Sequence, residues 1–424
     1  MDTRERLLRA GIWREAVPDS LRPPPYAHEP PLDSLVDGEW VHSSGARCFV
    51  VEHTYPLDHV HGSIHLSALC DVPPKEWSPF VEAADDEQPL CRVLTAFDPR
   101  QAVFLDTETT GLGRGAGTYA FLVGLGFFEG ERFRLRQYFM PDYADEEALL
   151  DLVAGDLADH DGMVSFNGRS FDWPLMETRY ILSRREPPSD GSRHLDLLPL
   201  SRRLWRRALP SCALGALERS VLGVERSGND VPGYLIPQLY HDYVQWGHAR
   251  PMVGVLYHNA IDVLSMVTLA ARIGGILHAS YTLDDAPYRD DVALGRLYER
   301  VGRTQDALRA YQAAGDSDRE SALARRYLSF LLKRMGRYDE AMEIWRGQLG
   351  GGDVYPYVEL AKQLEHRLHN YAEARRVVEQ AIVWVRTQDT PMNAFAAQGL
   401  LADLKHRLAR VERRLFREMS ALKG

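Results

Sequence analysis

The sequence is poor in cysteine and has no long apolar run. Its four cysteines lie far apart and form no Cys-x-x-Cys pair, so neither a disulfide scaffold nor a zinc finger is expected. No stretch of about 18 consecutive apolar residues occurs, so no membrane span is expected. The residues Met1 to Arg6 lead into no apolar stretch, unlike a signal peptide. These absences predict a soluble, reduced, cytoplasmic protein.

Positive charge is also scarce. The 50 lysines and arginines are outnumbered by 60 aspartates and glutamates, which gives a net charge of −10 at pH 7. Any contact with nucleic acid would therefore depend on local basic surface. Only five of the 50 basic residues are lysine. Because arginine is favoured along the whole chain, a single arginine cluster carries little information.

The length of 424 residues is enough for two or three domains. Residues 1–99 are interpreted as an N-terminal extension with a few strands and Pro-rich segments. Residues 100–280 combine strand signals with helix signals, and strands are predicted at 102–107, 118–128, 132–140 and 162–166. The first three would form an antiparallel meander. The expected fold class is an α/β layer, a mixed sheet flanked by helices.

A repeated pattern occupies residues 285–424. An equivalent alanine occurs at 307, 341 and 374, at intervals of 34 and 33 residues. An apolar or aromatic residue follows each alanine four positions later, at the packing position on a helix. The period matches that of tetratricopeptide repeats, which predicts an all-α domain that docks a protein partner.

Four acidic residues in three short motifs indicate the chemistry. Asp106 and Glu108 follow an apolar run, and a spacing of two along a strand places both carboxylates on one face. Asp172 closes an Asn-x-x-x-Phe-Asp motif, and Asp262 lies one helical turn after His258. Carboxylates gathered without basic partners repel one another. A fold that collects them is therefore expected to hold hard divalent cations.

The order of these motifs resembles that of the DEDD superfamily of 3′–5′ exonucleases, which have a ribonuclease H-like fold. Within that superfamily the chain is most similar to the bacterial YprB-type proteins, whose nuclease domain can carry tetratricopeptide repeats. The resemblance covers about residues 100–275 through the motifs and 285–385 through the repeats. Its most specific segments are L-D-T-E-T-T-G at 105–111 and S-F-N-G at 165–168.

The resemblance implies a two-metal site whose four ligands are Asp106, Glu108, Asp172 and Asp262. Two cations would stabilise the attacking and leaving oxygens of an in-line displacement at phosphorus. Ligation by oxygen alone favours Mg²⁺ or Mn²⁺ over zinc. The expected activity is a metal-dependent 3′–5′ exonuclease that acts on the ends of DNA or RNA.

The general base is less directly indicated. The superfamily has a histidine five residues before the last aspartate or a tyrosine four residues before it, whereas this chain has Tyr257 at minus five and His258 at minus four. Four residues is about one helical turn, so His258 is expected to share the face of Asp262. An imidazole with a pKa near neutrality can accept a proton from water. His258 is therefore the preferred base, and Tyr257 is the alternative.

Five residues are candidates for contact with the substrate. Asn167 is expected to hold either the substrate or the turn of its own motif, and Thr109 lies beside the first motif. An arginine-rich segment around an aromatic side chain suits a single-stranded backbone and its bases, although an ordinary solvated helix face explains that segment equally well. Its candidate residues are Arg203, Trp205 and Arg206.

Two other functions stay open. One is a repeat scaffold that binds nucleic acid without cutting it, and the other is a structure-specific endonuclease on the same fold. The four acidic residues argue against the scaffold, because concentrated negative charge repels phosphate. The sequence does not distinguish DNA from RNA.

Overall fold

The computed structural model divides into two compact units between residues 288 and 289. It describes residues 29–81, 96–111, 117–189, 191, 193–278, 290–315, 321–387 and 394–421. The proline-rich stretch before residue 29 lies outside these residues, and so does Cys91.

The first unit contains nine strands among its described residues. They are β1 (Glu39–Ser43), β2 (Ala46–Pro56), β3 (Val60–His61), β4 (Ile64–His65), β5 (Val103–Thr109), β6 (Ala120–Glu129), β7 (Arg132–Phe139), β8 (Met163–Ser165) and β9 (His194–Asp196). Seven of them form one sheet in the order β1-β2-β7-β6-β5-β8-β9, while β3 and β4 form a separate hairpin.

The central strands confirm the predicted meander. β5 pairs antiparallel with β6, and β6 pairs antiparallel with β7. On the other side β5 pairs in parallel with β8, and β8 pairs in parallel with β9. The sheet is therefore mixed, as the alternation of strand and helix signals predicted.

The N-terminal segment adds two strands to this same sheet. β2 pairs antiparallel with β7 along most of its length, and β1 pairs antiparallel with β2. Phe49 and Val51 on β2 are fully buried, so the apolar part of this strand belongs to the core of the unit. β1 and β2 of the extension thus lie at one edge of the sheet.

Helices and a π-helical turn complete the first unit. They are α1 (Ser78–Val81), α2 (Glu146–Ala158), α3 (Asp172–Leu182), α4 (Leu197–Trp205), α5 (Leu214–Leu217), the π-helix Glu218–Leu222, α6 (Ile236–Trp246) and α7 (Arg250–His278). α2 packs against β1 and β2, whereas α7 packs against β5 and β6.

α7 is the central helix of the first unit. By length and composition it is the one helix among the described residues that could cross a membrane, but most of its apolar window is buried inside the protein. Its apolar side chains pack against the sheet and the neighbouring helices. Burial of this kind is what a core helix of a globular protein requires.

The second unit is all-helical in its described residues. It contains α8 (Asp291–Arg300), α9 (Thr304–Gly315), α10 (Ser321–Arg334), α11 (Tyr338–Gly347), α12 (Tyr355–His366), α13 (Tyr371–Thr387) and α14 (Ala394–Ala421). Each helix packs against the next one in the chain.

The repeated alanines lie inside this helical unit. Ala307, Ala341 and Ala374 are fully buried on α9, α11 and α13. The residues four positions later are also fully buried; they are Tyr311, Trp345 and Val378. A stack of consecutive helices with these positions inside is compatible with tetratricopeptide repeats, and that assignment stays a prediction.

Candidate active site

Two of the four acidic residues lie on β5 and face α7. Asp106 and Glu108 alternate on β5 with buried Thr107. The Asp106 Oδ2 atom accepts a hydrogen bond of 2.8 Å from the Asn259 side chain on α7. The Glu108 Oε1 atom lies 4.0 Å from the Nε2 atom of His258, also on α7. The strand spacing of two therefore directs both carboxylates toward the same helix.

The other two acidic residues approach from helices. Asp172 is the first residue of α3, and its Oδ1 atom accepts a hydrogen bond from the Thr107 hydroxyl. Asp262 is on α7, and its Oδ2 atom lies 3.8 Å from His258 Nε2. The structure thus brings the acids of all three motifs into one region.

Desolvation raises the pKa of all four carboxyl groups, and repulsion by other members of the cluster adds to the shift at Asp106 and Glu108. Desolvation, followed by the charges of Asp262 and Asp172, raises the pKa of Asp106 well above its ordinary value. Desolvation, followed by the charges of Asp106, Asp262 and Asp172, does the same to the pKa of Glu108. Desolvation raises the pKa of Asp172 to about 6 and also raises the pKa of Asp262. The positive charge of Arg226 opposes the shift at Asp106, Glu108 and Asp262 without cancelling it.

The donor set suits a hard divalent cation, since it consists of one buried and three half-buried carboxylates and no thiolate. Among the described residues, no three acidic, histidine or cysteine side chains already converge as a metal site. Several carboxylate oxygens point at protein donors, namely Asn259, Thr107 and Arg226. The four carboxylates therefore suit such ions as ligands, while several of their oxygens accept hydrogen bonds from protein groups.

Arg226 supplies a basic partner that the three motifs do not contain. Its guanidinium donates to Asp262 Oδ1 and, through Nε and Nη2, to both oxygens of Glu218 at 2.7 and 2.6 Å. Glu218 is 1% exposed and begins the π-helix. The expectation of carboxylates without basic partners was therefore wrong for Asp262. Its partner lies 36 residues away in a loop, where no sequence pattern marks it.

His258 and Tyr257 point in different directions. The His258 Nδ1 atom lies 2.8 Å from Asp230 Oδ1 and 3.1 Å from Nη1 of Arg226, so its Nε2 atom faces the acidic cluster. The hydroxyl of Tyr257 accepts a hydrogen bond of 3.0 Å from the main-chain N–H of Ser227. The structure therefore places the imidazole, and not the phenol, against Glu108 and Asp262, as the helical spacing predicted.

Asn259 was not identified from the sequence. It is fully buried and bridges Asp106 to Gln137 of β7, whose Nε2 atom donates to Asn259 Oδ1 at 2.8 Å. Gly124 leaves the space for this bridge, because a Cβ atom there would lie 2.3 Å from Asn259 Oδ1. Asn259 is three residues before Asp262, so the helical period alone could have placed it on the same face.

Two of the five predicted substrate contacts, Asn167 and Thr109, differ in exposure. Asn167 has a positive φ of 70° and is exposed, and its main-chain N–H donates to Asp196. Thr109 is buried, and its hydroxyl donates to the carbonyl of Gly111. Of these two, Asn167 is the side chain accessible to a substrate.

The prediction of a substrate contact in the arginine-rich segment is wrong for Trp205. Trp205 is 1% exposed and packs in the core at the end of α4, so it cannot stack on a base. Arg206 is exposed and Arg203 is half-buried, as on an ordinary helix face. An aromatic residue between arginines indicated a surface, but α4 is amphipathic and turns Trp205 inward.

Comparisons with known proteins agree with this geometry. Residues 103–273 match the model of the RNase_H superfamily. That range includes all four acidic residues. The chain is also 32% identical over 344 residues to the uncharacterized protein YprB of Bacillus subtilis (strain 168), and the match covers 79% of this chain and 80% of the relative. The mixed sheet, the acidic cluster and these two matches show that the chain belongs to the YprB family and carries a ribonuclease H superfamily domain.

Proposed function

We propose that the protein is a metal-dependent 3′–5′ exonuclease that hydrolyses phosphodiester bonds of DNA or RNA. The observation that carries the proposal is the cluster of four carboxylates, whose pKa values are all raised by desolvation and, at Asp106 and Glu108, also by the charges of the other members. A site that gathers four carboxylates beside a single arginine still has an excess of negative charge and is suited to divalent ions. A protein that only binds nucleic acid gains nothing from such a cluster.

Asp106, Glu108, Asp172 and Asp262 would hold two Mg²⁺ or Mn²⁺ ions, which stabilise charge on the attacking and leaving oxygens when bound. The protein's own groups then position the reactants. His258 would accept the proton of the attacking water at Nε2, because Asp230 can hold its Nδ1–H. Asn259 orients the Asp106 carboxylate, and the exposed Asn167 would contact the substrate.

We further propose that the second unit is a tetratricopeptide-repeat domain that docks a protein partner. Three buried alanines at intervals of 34 and 33 residues support this proposal.

A cleavage assay tests the proposed activity. Purified protein is incubated with 5′-labelled DNA and RNA oligonucleotides and either Mg²⁺ or Mn²⁺. We expect products that shorten progressively from the 3′ end, and we expect Asp106→Asn to reduce the rate at least about a hundredfold. Asp161→Asn is the matched control, since Asp161 pairs with Arg193 outside the acidic cluster. It should leave the rate unchanged.

Other outcomes distinguish the rival functions. Internal cuts at a defined structure, with no shortening from the end, would identify an endonuclease. Tight binding of the oligonucleotide without any metal-dependent product would identify a non-cleaving scaffold.

A further inference from the structure

Arg226 is held in place from outside the acidic cluster. Two of its nitrogens bond both oxygens of buried Glu218, a geometry that fixes the plane of the guanidinium. Glu218 in turn accepts a hydrogen bond of 2.7 Å from the Ser265 hydroxyl, which lies 2.8 Å from Nε2 of His61 on β3. The β3–β4 hairpin is thereby linked to the π-helix through Ser265. Arg226 therefore has a carboxylate partner that lies outside the acidic cluster.

Glu218 and Asp262 both accept hydrogen bonds from this one guanidinium, and Asp230 Oδ1 lies 3.5 Å from its Nη1 atom. If a divalent ion takes the Asp262 carboxylate, Arg226 keeps its two bonds to Glu218, and that buried pair stays neutral. Removing one partner of a buried ion pair is costly only when the other charge is left alone. Arg226 can therefore release Asp262 without leaving a buried charge unpaired.

The released guanidinium would face the place where a phosphate must lie. Arg226 contacts Asp262 and approaches His258, two residues that border the cluster. Its side chain is 16% exposed, so a ligand can reach it. A guanidinium has N–H groups in a planar fork that matches the oxygens of a phosphodiester.

We propose that Arg226 is an exchangeable substrate ligand: it neutralises Asp262 until a divalent ion binds that carboxylate, and it then donates to a phosphate oxygen of the nucleic acid. The phosphate half of this inference rests on the proposed function. The competition between Arg226 and the metal ion does not depend on it.

The Arg226→Gln variant tests both halves of the proposal, because it should strengthen the binding of Mn²⁺ and weaken the binding of the oligonucleotide. Binding of Mn²⁺ is measured by the electron paramagnetic resonance signal of the free ion, without substrate. We expect the Mn²⁺ dissociation constant to fall about threefold to tenfold, because a competing cation is gone. Binding of a labelled single-stranded oligonucleotide is measured by fluorescence anisotropy in Ca²⁺, with a gel to show that the probe is intact. We expect its dissociation constant to rise about tenfold.

Arg185→Gln is the matched control. Arg185 is also partly buried and pairs with Asp151 and Glu147, outside the cluster. Both dissociation constants should equal those of the unmodified protein. A general loss of structure would weaken both kinds of binding, so opposite changes in one variant identify a direct role.

The variant leaves Glu218 without its partner and can lower the stability of the fold. Glu218→Gln combined with Arg226→Gln removes that buried charge and should restore the melting temperature. The opposite changes in Mn²⁺ and oligonucleotide binding should persist in this double variant.

Two outcomes would contradict the proposal. One is that the double variant binds Mn²⁺ as well as or more weakly than the unmodified protein does. The other is that its affinity for the oligonucleotide is unchanged. An unmodified protein that binds no oligonucleotide would instead overturn the proposed function, while the Mn²⁺ measurement would still decide the competition.

Discussion

At the scale of single residues, two buried side-chain amides determine which hydrogen-bond donor the Asp106 carboxylate meets. The Gln137 Nε2 atom donates to the carbonyl of Leu256 at 2.7 Å, which fixes the orientation of that amide. The same nitrogen donates to Asn259 Oδ1, so the Asn259 Nδ2 atom must face Asp106. The carboxylate therefore meets a donor whose direction is set by the sheet and the helix together.

Asn259→Leu should weaken the binding of Mn²⁺ about tenfold to a hundredfold, because the partner that orients a ligand is lost. The measurement is a Mn²⁺ titration followed by electron paramagnetic resonance. Adding Gln137→Leu removes the amide that has lost one of its two acceptors, and it should recover stability without recovering affinity. Joint recovery of both properties would show that Asn259 acts only through the fold.

His258→Gln and Tyr257→Phe separate the two candidates for the base. The Nε2 atom of His258 faces Glu108 and Asp262, whereas the Tyr257 hydroxyl is bonded to the Ser227 main chain. We expect kcat to fall about a hundredfold or more for His258→Gln and to change little for Tyr257→Phe. A large loss of kcat only in Tyr257→Phe would reverse this assignment.

At the scale of elements, glycines of β6 permit the close approach of α7. A Cβ atom at Gly124 would collide with the Asn259 side chain, and one at Gly126 would lie 2.5 Å from Cγ1 of Val263. Gly124 stands between Asp106 and Gln137 in the register of the sheet. The missing side chain thus makes room for the amide that joins them.

Gly124→Ala should destabilise the protein by about 1–3 kcal/mol, since a methyl group must displace buried Asn259. It should also weaken Mn²⁺ binding through the loss of the bond to Asp106. Gly155→Ala in α2 is the control, because its added Cβ atom meets nothing within 4 Å. It should stabilise the protein by about 0.5–1 kcal/mol. Urea denaturation measures both changes, and equal effects would contradict the proposed close approach.

At the scale of the whole molecule, the negative charge of the acidic cluster destabilises the folded state when no metal is bound. The raised pKa of Asp106 means that the folded protein binds more protons than the unfolded chain above about pH 4. Stability therefore falls as the pH rises from that value through the raised pKa of the folded state. This sign is opposite to that of an acid in an ion pair.

Asp106→Asn should therefore be more stable than the unmodified protein when no metal is present. The difference should grow as the pH rises from about 4 through the raised pKa of Asp106 in the folded protein. Urea denaturation at several pH values, with and without Mg²⁺, measures it. Saturating Mg²⁺ should stabilise the unmodified protein more than the variant. A variant that is less stable at every pH would contradict this account.

The sequence by itself determined the central strands of the sheet and indicated the acidic residues of the candidate site. Hydrophobic alternation marked β5, β6 and β7, and a helical turn was enough to prefer His258 over Tyr257. These are local patterns, because the residues that decide them are separated by a few positions. The same local reasoning failed for Trp205, since burial depends on which face of α4 meets the core.

Only the tertiary structure decided what surrounds the carboxylates. Arg226 reaches Asp262 across 36 residues, and Gln137 reaches Asn259 across 122. The pairing of β2 with β7 likewise joins the N-terminal segment to the central sheet. Pairings of this kind depend on which side chains the completed fold leaves without a partner, and no periodicity along the chain records that. The sequence thus identified the groups that suit metal ions, and the fold determined which protein groups hold those carboxylates.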